Sequence, residues 1–211
     1  LMGLGFKGAV INDHVAGLTY DDRRFRTFFR AAEEMEALLF FHQGGPTVTT
    51  GRINRYSLAN AVGNLTERTL VFGALVFGGV LDEFPDLRML LGHGGGYVPY
   101  GVARMDKVAG ALAGDFDGEM HPPFGSRDQF ANDKPPSEYL QRFAYDCCTY
   151  SGPVLRFLVD TVGIQNVVLG TDYPAPMFLH DPVRWVRGLR ELAPAEHESI
   201  LVDNPSRILG L

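Results

Sequence analysis

Residues 88–100 read Arg88-Met-Leu-Leu-Gly-His-Gly-Gly-Gly-Tyr-Val-Pro-Tyr100 and place one histidine between an apolar run and a glycine-rich turn. The run Met89–Leu91 predicts a buried strand, and Pro99 is typical of the first turn of a helix. His93 therefore lies at the predicted carboxyl end of a strand, which is where strand–helix units place their chemistry.

Two other predicted strands end in the same way. The apolar run Leu38–Phe41 leads into His42, and the run Asn166–Gly170 leads into Asp172. Because parallel strands bring their carboxyl ends to one rim, we expect the two histidines and the aspartate to lie close together. A set of His, His and Asp side chains is typical of metal-dependent hydrolases.

The rest of the chain alternates short apolar runs with helical patterns. We expect five strands, near residues 8, 40, 90, 145 and 168, which predicts an α/β fold with a parallel sheet covered by helices. The glycines after His93 lack the GxGxxG spacing of a dinucleotide site. Polar residues at several strand ends fit a (β/α)8 TIM barrel better. Residues 1–211 would then form the C-terminal part of a single barrel domain, with five strands present and the N-terminal strands missing.

Several segments carry their own predictions. Glu67–Phe84 is apolar and contains three glycines, which predicts one mostly buried helix, preceded by a helix over Arg55–Val62. The segment Gly114–Pro136 is rich in Gly, Pro and Asp and is typical of a lid or interface loop. Asn204–Leu211 is expected to be a short tail.

Composition excludes some classes of partner. The 211 residues contain 19 Lys and Arg against 25 Asp and Glu, a net charge of −6, so no basic surface for nucleic acid is expected. No apolar run reaches the length of a membrane span. The adjacent Cys147 and Cys148 cannot easily bridge each other, which predicts core residues in a protein of a reducing compartment, the cytoplasm.

Each candidate site residue has an ordinary structural alternative. His42 could be a buried core histidine, but a neutral imidazole at a strand end is a good ligand for zinc or a similar ion. Asp172 could form an Asx turn or a helix cap, or it could bind metal and polarise a bound water. His93 could be a third ligand or a general acid or base, since its flanking glycines allow substrate to approach. Arg104, on the following helix, could simply be a solvated charge.

The chain resembles the amidohydrolase-related (amidohydrolase 2) family. The matching segments begin with Phe6-Lys-Gly-Ala-Val-Ile-Asn-Asp-His-Val15, and the most specific are Leu91-Gly-His-Gly-Gly-Gly96 and Val168-Leu-Gly-Thr-Asp-Tyr-Pro174. The resemblance implies a metal-dependent (β/α)8 barrel that is usually dimeric or larger and is often a non-oxidative decarboxylase.

The resemblance also implies roles for four residues. His42 matches a metal ligand, and Asp172 matches the carboxylate ligand. His93 matches the histidine that acts as acid or base beside the metal. Arg104 matches an arginine that, in some members, reaches the carboxylate of a substrate bound in the neighbouring subunit. Family members begin with a strand carrying His-x-His or Glu-x-His, which supplies two further ligands, and the first strand predicted in this sequence, Phe6–Ile11, carries no such pair.

The expected function is therefore non-oxidative decarboxylation of a small carboxylated aromatic or semialdehyde substrate by a homodimer or higher homo-oligomer. The expected cofactor is a divalent ion, zinc first and manganese as the alternative. One alternative function is hydrolysis of a lactone or amide by metal-bound hydroxide. The other is a non-catalytic barrel fragment that acts only in the assembly of an oligomer.

Overall fold

A computed structural model describes residues 2–42, 44–53, 55–113 and 130–211. Over these ranges the chain forms one sheet of five parallel strands, each paired with the next along the sequence. The strands are β1 (Gly8–Ile11), β2 (Leu38–Phe41), β3 (Arg88–Leu91), β4 (Phe143–Asp146) and β5 (Val167–Val168). Sequential parallel strands joined by helices are the repeating unit of a barrel, which confirms the predicted α/β fold.

Helices follow the strands, and most of them pack on one face of the sheet. They are α1 (Arg26–Glu34), α2 (Asn64–Phe77), α3 (Val80–Glu83), α4 (Val98–Ala113), α5 (Gly152–Val162), α6 (Pro182–Arg187), α7 (Pro194–Glu198) and α8 (Asn204–Leu209). A 3-10 helix, Pro136–Arg142, leads into β4. In the described part of the chain no helix is both long and apolar enough to cross a bilayer.

The two faces of the sheet differ because successive strand residues point to opposite sides. One face packs against the helices in the main core, with Leu39, Phe41, Met89, Leu91, Phe143, Tyr145 and Val167 among its members. The other face carries a smaller apolar cluster of Leu38, Phe40, Leu90, Ala144 and Val168, against which Ile208 and Leu209 of α8 pack. This second face corresponds to the inside of a barrel.

The register aligns the ends of the strands. Phe41 pairs with both Ile11 and Leu91, so β1, β2 and β3 end at one level. The residues that follow them therefore begin at the same rim, as the sequence predicted. The alignment is what brings His42 and the turn after β3 to one place.

The prediction of one continuous helix over Glu67–Phe84 is wrong, but the prediction that the segment is mostly buried is confirmed. It is two helices, α2 and α3, because Gly79 between them has a left-handed backbone with φ of +66°. Between residues 67 and 84, which are all described, only Leu70 and Glu83 are exposed. The helix expected over Arg55–Val62 is also wrong, because a π-helical turn, Ala59–Gly63, leads directly into α2.

The predicted tail is wrong as well, since residues 204–209 form α8. The side chain of Asn204 donates hydrogen bonds of 2.8 Å to the carbonyl oxygens of Ile164 and Val167. These bonds hold the start of α8 against β5. Most of the predicted lid or interface loop, residues 114–129, lies outside the described residues. Cys147 and Cys148 are free thiols and both are buried, which confirms the prediction that they are core residues.

Candidate metal centre

Three strand-end side chains meet at the carboxyl rim of the sheet. His42 directly follows β2, His93 lies two residues after β3, and Asp172 lies four residues after β5. Asp172 Oδ1 is 3.4 Å from His42 Nε2 and 3.5 Å from His93 Nε2. One ligand atom from each residue lies within 4.8 Å of the other two. The structure therefore brings together the three residues that the sequence singled out.

The spacing of these atoms fits a metal ion better than a direct hydrogen bond. Two ligands at about 2.1 Å from a tetrahedral zinc ion are about 3.4 Å apart. An N–H···O hydrogen bond is normally about 2.7–3.2 Å long, so 3.4 and 3.5 Å are too long for good bonds. The Asp172 side chain is only 5% exposed, and a buried carboxylate requires a compensating positive charge. The imidazole of His42 and the carboxylate of Asp172 thus suit a divalent cation, and His93 lies close enough either to bind it or to transfer protons beside it.

The turn that carries His93 is held by a buried carboxylate from the next strand. Asp146, the last residue of β4, accepts hydrogen bonds from the backbone N–H groups of His93 at 2.9 Å and of Gly94 at 3.0 Å. His93 and Asp172 both have a left-handed backbone, with φ of +56° and +60°. Non-glycine residues adopt this conformation rarely, and such strain is concentrated at functional sites.

The glycines of this turn are required by close packing. A Cβ atom at Gly95 would lie 2.6 Å from the ring of Tyr145, and one at Gly96 would lie 2.0 Å from the carbonyl oxygen of Leu65. Gly96 also has a left-handed backbone, with φ of +64°. The turn can therefore lie against β4 and α2 only because it has no side chains there.

Burial lowers the pKa of His93 below its ordinary value. The nearby charges oppose one another: Asp146 and Asp172 raise this pKa, whereas Arg68 and His42 lower it. The net direction favours the neutral imidazole, which is the form that binds a metal or accepts a proton.

Two cavities adjoin these side chains. The first, of about 550 Å³, is bounded by His42, Asp146, Asp172 and the apolar inner face of the sheet. The second, of about 480 Å³, lies on the other side of His93 between α4 and α5. Both volumes are in the range of sites for small molecules, about 300–1,000 Å³.

A comparison with known protein families shows which family this chain belongs to. The family described as Amidohydrolase matches residues 1–211, which is the whole chain. The chain belongs to the amidohydrolase family.

This amidohydrolase is similar to proteins named as decarboxylases. It is 29% identical over 214 residues to the 2-amino-3-carboxymuconate-6-semialdehyde decarboxylase of Dictyostelium discoideum, with 100% of this chain and 55% of that protein covered. The crystal structure of 5-carboxyvanillate decarboxylase from Sphingomonas paucimobilis is 28% identical, with a TM-score of 0.80, and covers 97% of this chain and 58% of that one. The chain thus spans little more than half the length of these relatives.

A further structure shows the same fold with a metal bound. It is a 5-carboxyvanillate decarboxylase from Novosphingobium aromaticivorans with manganese and 3-methoxy-4-hydroxy-5-nitrobenzoic acid. It is 24% identical to this amidohydrolase, with a TM-score of 0.78, and the alignment covers 99% of this chain and 58% of that one. Metal binding therefore occurs on this fold in a related protein.

The structure leaves one predicted residue of the amidohydrolase outside the site. Arg104 is exposed on α4 and does not line either cavity in the described part of the chain. The prediction for Arg104 concerned a neighbouring subunit, so it stays a prediction.

Two features of the site were missed in the sequence. Asp146 could have been found by the rule that selected His42, because it too ends a buried strand. The second feature is an ion pair in which Arg68 Nη1 contacts Asp13 Oδ1, with both side chains 0% exposed. Burial lowers the pKa of Arg68 to about 10, although the charges of Asp146 and Asp172 oppose this effect. No local pattern in the sequence predicts this pair, because Asp13 lies in the loop after β1 and Arg68 lies on α2.

Proposed function

We propose that this amidohydrolase is a metal-dependent carboxy-lyase that removes carbon dioxide from a small carboxylated aromatic or semialdehyde acid. In this proposal His42 and Asp172 are metal ligands, and His93 is the acid or base beside the metal. The observation that carries the proposal is the placement of Asp172 Oδ1 at 3.4 and 3.5 Å from the two imidazole nitrogens. Similarity to two decarboxylases over nearly the whole chain supports the reaction type.

A bound divalent ion would supply a Lewis acid that polarises a substrate oxygen. The residues of the chain would do the rest. In decarboxylation the bond between the carboxylate carbon and its neighbour breaks, carbon dioxide leaves, and the electron pair stays on the neighbouring carbon. The neutral His93 imidazole would first accept a proton from solvent, and its Nε2 is placed to deliver that proton to the carbon, which leaves the ring neutral again. Asp146 would keep His93 in position through the backbone of the turn.

The first cavity supports an aromatic or unsaturated substrate. Its walls include the apolar side chains Val10, Phe40 and Leu90, and its polar groups are concentrated at the rim. An apolar wall excludes water from the developing negative charge, which strengthens the electrostatic interactions there. The rim of this cavity would therefore hold the substrate, with its flat part above these apolar side chains and its polar part toward His42.

Four further parts complete the proposal. Zinc remains our first choice of ion from the ligand types, and the manganese in the related structure makes manganese the second ion to test. We propose that residues 1–211 are the C-terminal part of a single barrel domain. We also propose a homodimer or higher homo-oligomer in which Arg104 reaches substrate in the neighbouring subunit. The free thiols of Cys147 and Cys148 support the cytoplasm as its location.

The experiment uses the intact protein after its metal has been removed by chelation. It is reloaded with zinc or with manganese and given 5-carboxyvanillate or 2-amino-3-carboxymuconate semialdehyde, and the released carbon dioxide is measured. We expect release only after reloading. A product formed by hydrolysis without release of carbon dioxide would overturn the decarboxylase assignment in favour of a hydrolase. Failure to bind either ion would contradict the metal site itself.

A further inference from the structure

Tyr150 contacts the carboxylate of Asp172 on the side opposite the histidines. Its hydroxyl donates a hydrogen bond of 3.1 Å to Asp172 Oδ2, whereas Oδ1 is the oxygen near His42 and His93. The two oxygens of this one carboxylate therefore have different surroundings. Oδ1 faces the two imidazoles, and Oδ2 faces a hydroxyl donor.

The backbone of Tyr150 is held in a conformation that aims the hydroxyl at Asp172. Tyr150 has a left-handed backbone, with φ of +56°, in the turn between β4 and α5. This conformation is strained for a non-glycine residue, because its Cβ atom crowds the backbone. The turn is fixed at its start by the hydrogen bond of 3.0 Å from Cys148 N–H to Asp146, and near its end by the bond of 3.2 Å from the Thr149 hydroxyl to the Ser151 carbonyl oxygen.

Packing alone does not explain this placement. The Tyr150 residue is 41% exposed, so its ring buries only part of its surface. His93, Tyr150 and Asp172 are non-glycine residues with a left-handed backbone in the segments after β3, β4 and β5, and the side chains of His93 and Tyr150 both reach the carboxylate of Asp172. A strained tyrosine that reaches the same group as the two histidines is typical of a residue that orients a metal ligand.

We propose that Tyr150 is a positioning residue that makes Asp172 a ligand through one oxygen only. This inference rests on the proposed metal site. The hydroxyl occupies Oδ2 and fixes the rotation of the carboxylate, so that Oδ1 alone faces the ion. Without the hydroxyl the carboxylate would rotate more freely. Binding of the ion would then have to restrict that rotation, which weakens the affinity. Loss of such an orienting contact typically weakens metal affinity about 10–100-fold.

The test compares the Mn²⁺ affinity of the intact wild-type protein with that of Tyr150→Phe, measured from the EPR signal of free Mn²⁺. The matched control is Tyr173→Phe, which removes a phenol hydroxyl from the residue next to Asp172. Tyr173 itself is 73% exposed. Asp172→Asn reports on the metal site itself. We expect a dissociation constant 10–100-fold higher for Tyr150→Phe, a value near wild type for Tyr173→Phe, and loss of binding for Asp172→Asn.

The outcomes separate the inference from the proposed site. If Asp172→Asn loses Mn²⁺ but Tyr150→Phe binds it within about twofold of wild type, the role of Tyr150 is wrong and the metal site remains. If Asp172→Asn binds Mn²⁺ as wild type does, the metal site fails and the inference fails with it. The melting temperature of each metal-free protein tests for a purely structural role. Such a role would lower that temperature in Tyr150→Phe and leave the affinity of the folded protein unchanged.

Discussion

Asp146 Oδ2 accepts the backbone N–H of His93 at 2.9 Å, so the last residue of β4 fixes the backbone of the residue that follows β3. The other oxygen of the same carboxylate accepts the N–H groups of Gly94 and Cys148, both at 3.0 Å. His93 is therefore held through its main chain. Its Nε2 lies 3.5 Å from Asp172 Oδ1.

Replacing Asp146 with Asn should destabilise the protein. The amide has one acceptor oxygen where the carboxylate has two, and hydrogen bonds to a charged group contribute about 1.5–3 kcal/mol. We expect the free energy of unfolding to fall by about that amount in urea titrations. The control is Asp160→Asn, at an exposed ion pair with Arg156, which should change stability by less than about 1 kcal/mol. Equal stability of Asp146→Asn and wild type would show that this carboxylate does not hold the turn.

The buried pair of Arg68 and Asp13 should show strong energetic coupling. Arg68→Met leaves the Asp13 carboxylate buried without its partner, which typically costs about 3–5 kcal/mol. Replacing Asp13 with Ala in the same protein removes the uncompensated charge. We therefore expect the double variant to be more stable than Arg68→Met alone. Urea unfolding of wild type, the two single variants and the double variant gives the coupling energy between the two side chains. If the losses in free energy of unfolding of the two single variants simply added in the double variant, the two charges would not stabilise each other.

The sequence predicted the parts of the site that depend on strand ends. His42, His93 and Asp172 each follow an apolar run, and parallel strands place their carboxyl ends at one rim whatever the details of the helices. Asp146 follows the same rule and was overlooked because its strand continues into two cysteines that also read as core residues. The end of an apolar run is a local feature of the sequence, so it can be recognised in each segment separately.

The features that the sequence did not predict depend on contacts between distant segments. The break between α2 and α3 occurs at Gly79, where a Cβ atom would lie 2.9 Å from the carbonyl oxygen of Ala131, 52 positions away. The helix α8 has six residues, too few for a clear apolar period, and forms where Asn204 bonds to the backbone around β5. The pairing of Arg68 with Asp13 likewise requires the position of α2 relative to β1.

Replacing His93 with Ala should remove proton transfer and leave the metal in place. A positioned acid or base contributes about 10²–10⁴-fold to rate, so turnover should fall by that factor. Metal content should stay near wild type because His42 and Asp172 remain. Metal stoichiometry, melting temperature and turnover are measured on one preparation. Loss of metal would make His93 a ligand, and unchanged turnover would remove it from the mechanism.

The most direct test of the account measures bound metal and released carbon dioxide together, in the intact wild-type protein and in Asp172→Asn. The account predicts that wild type binds a divalent ion and that its release of carbon dioxide rises in proportion to the metal bound. It predicts that Asp172→Asn loses both while remaining folded. Carbon dioxide released at the wild-type rate after complete removal of metal, or full metal binding by Asp172→Asn, would contradict the claim that this strand-end site is the catalytic centre.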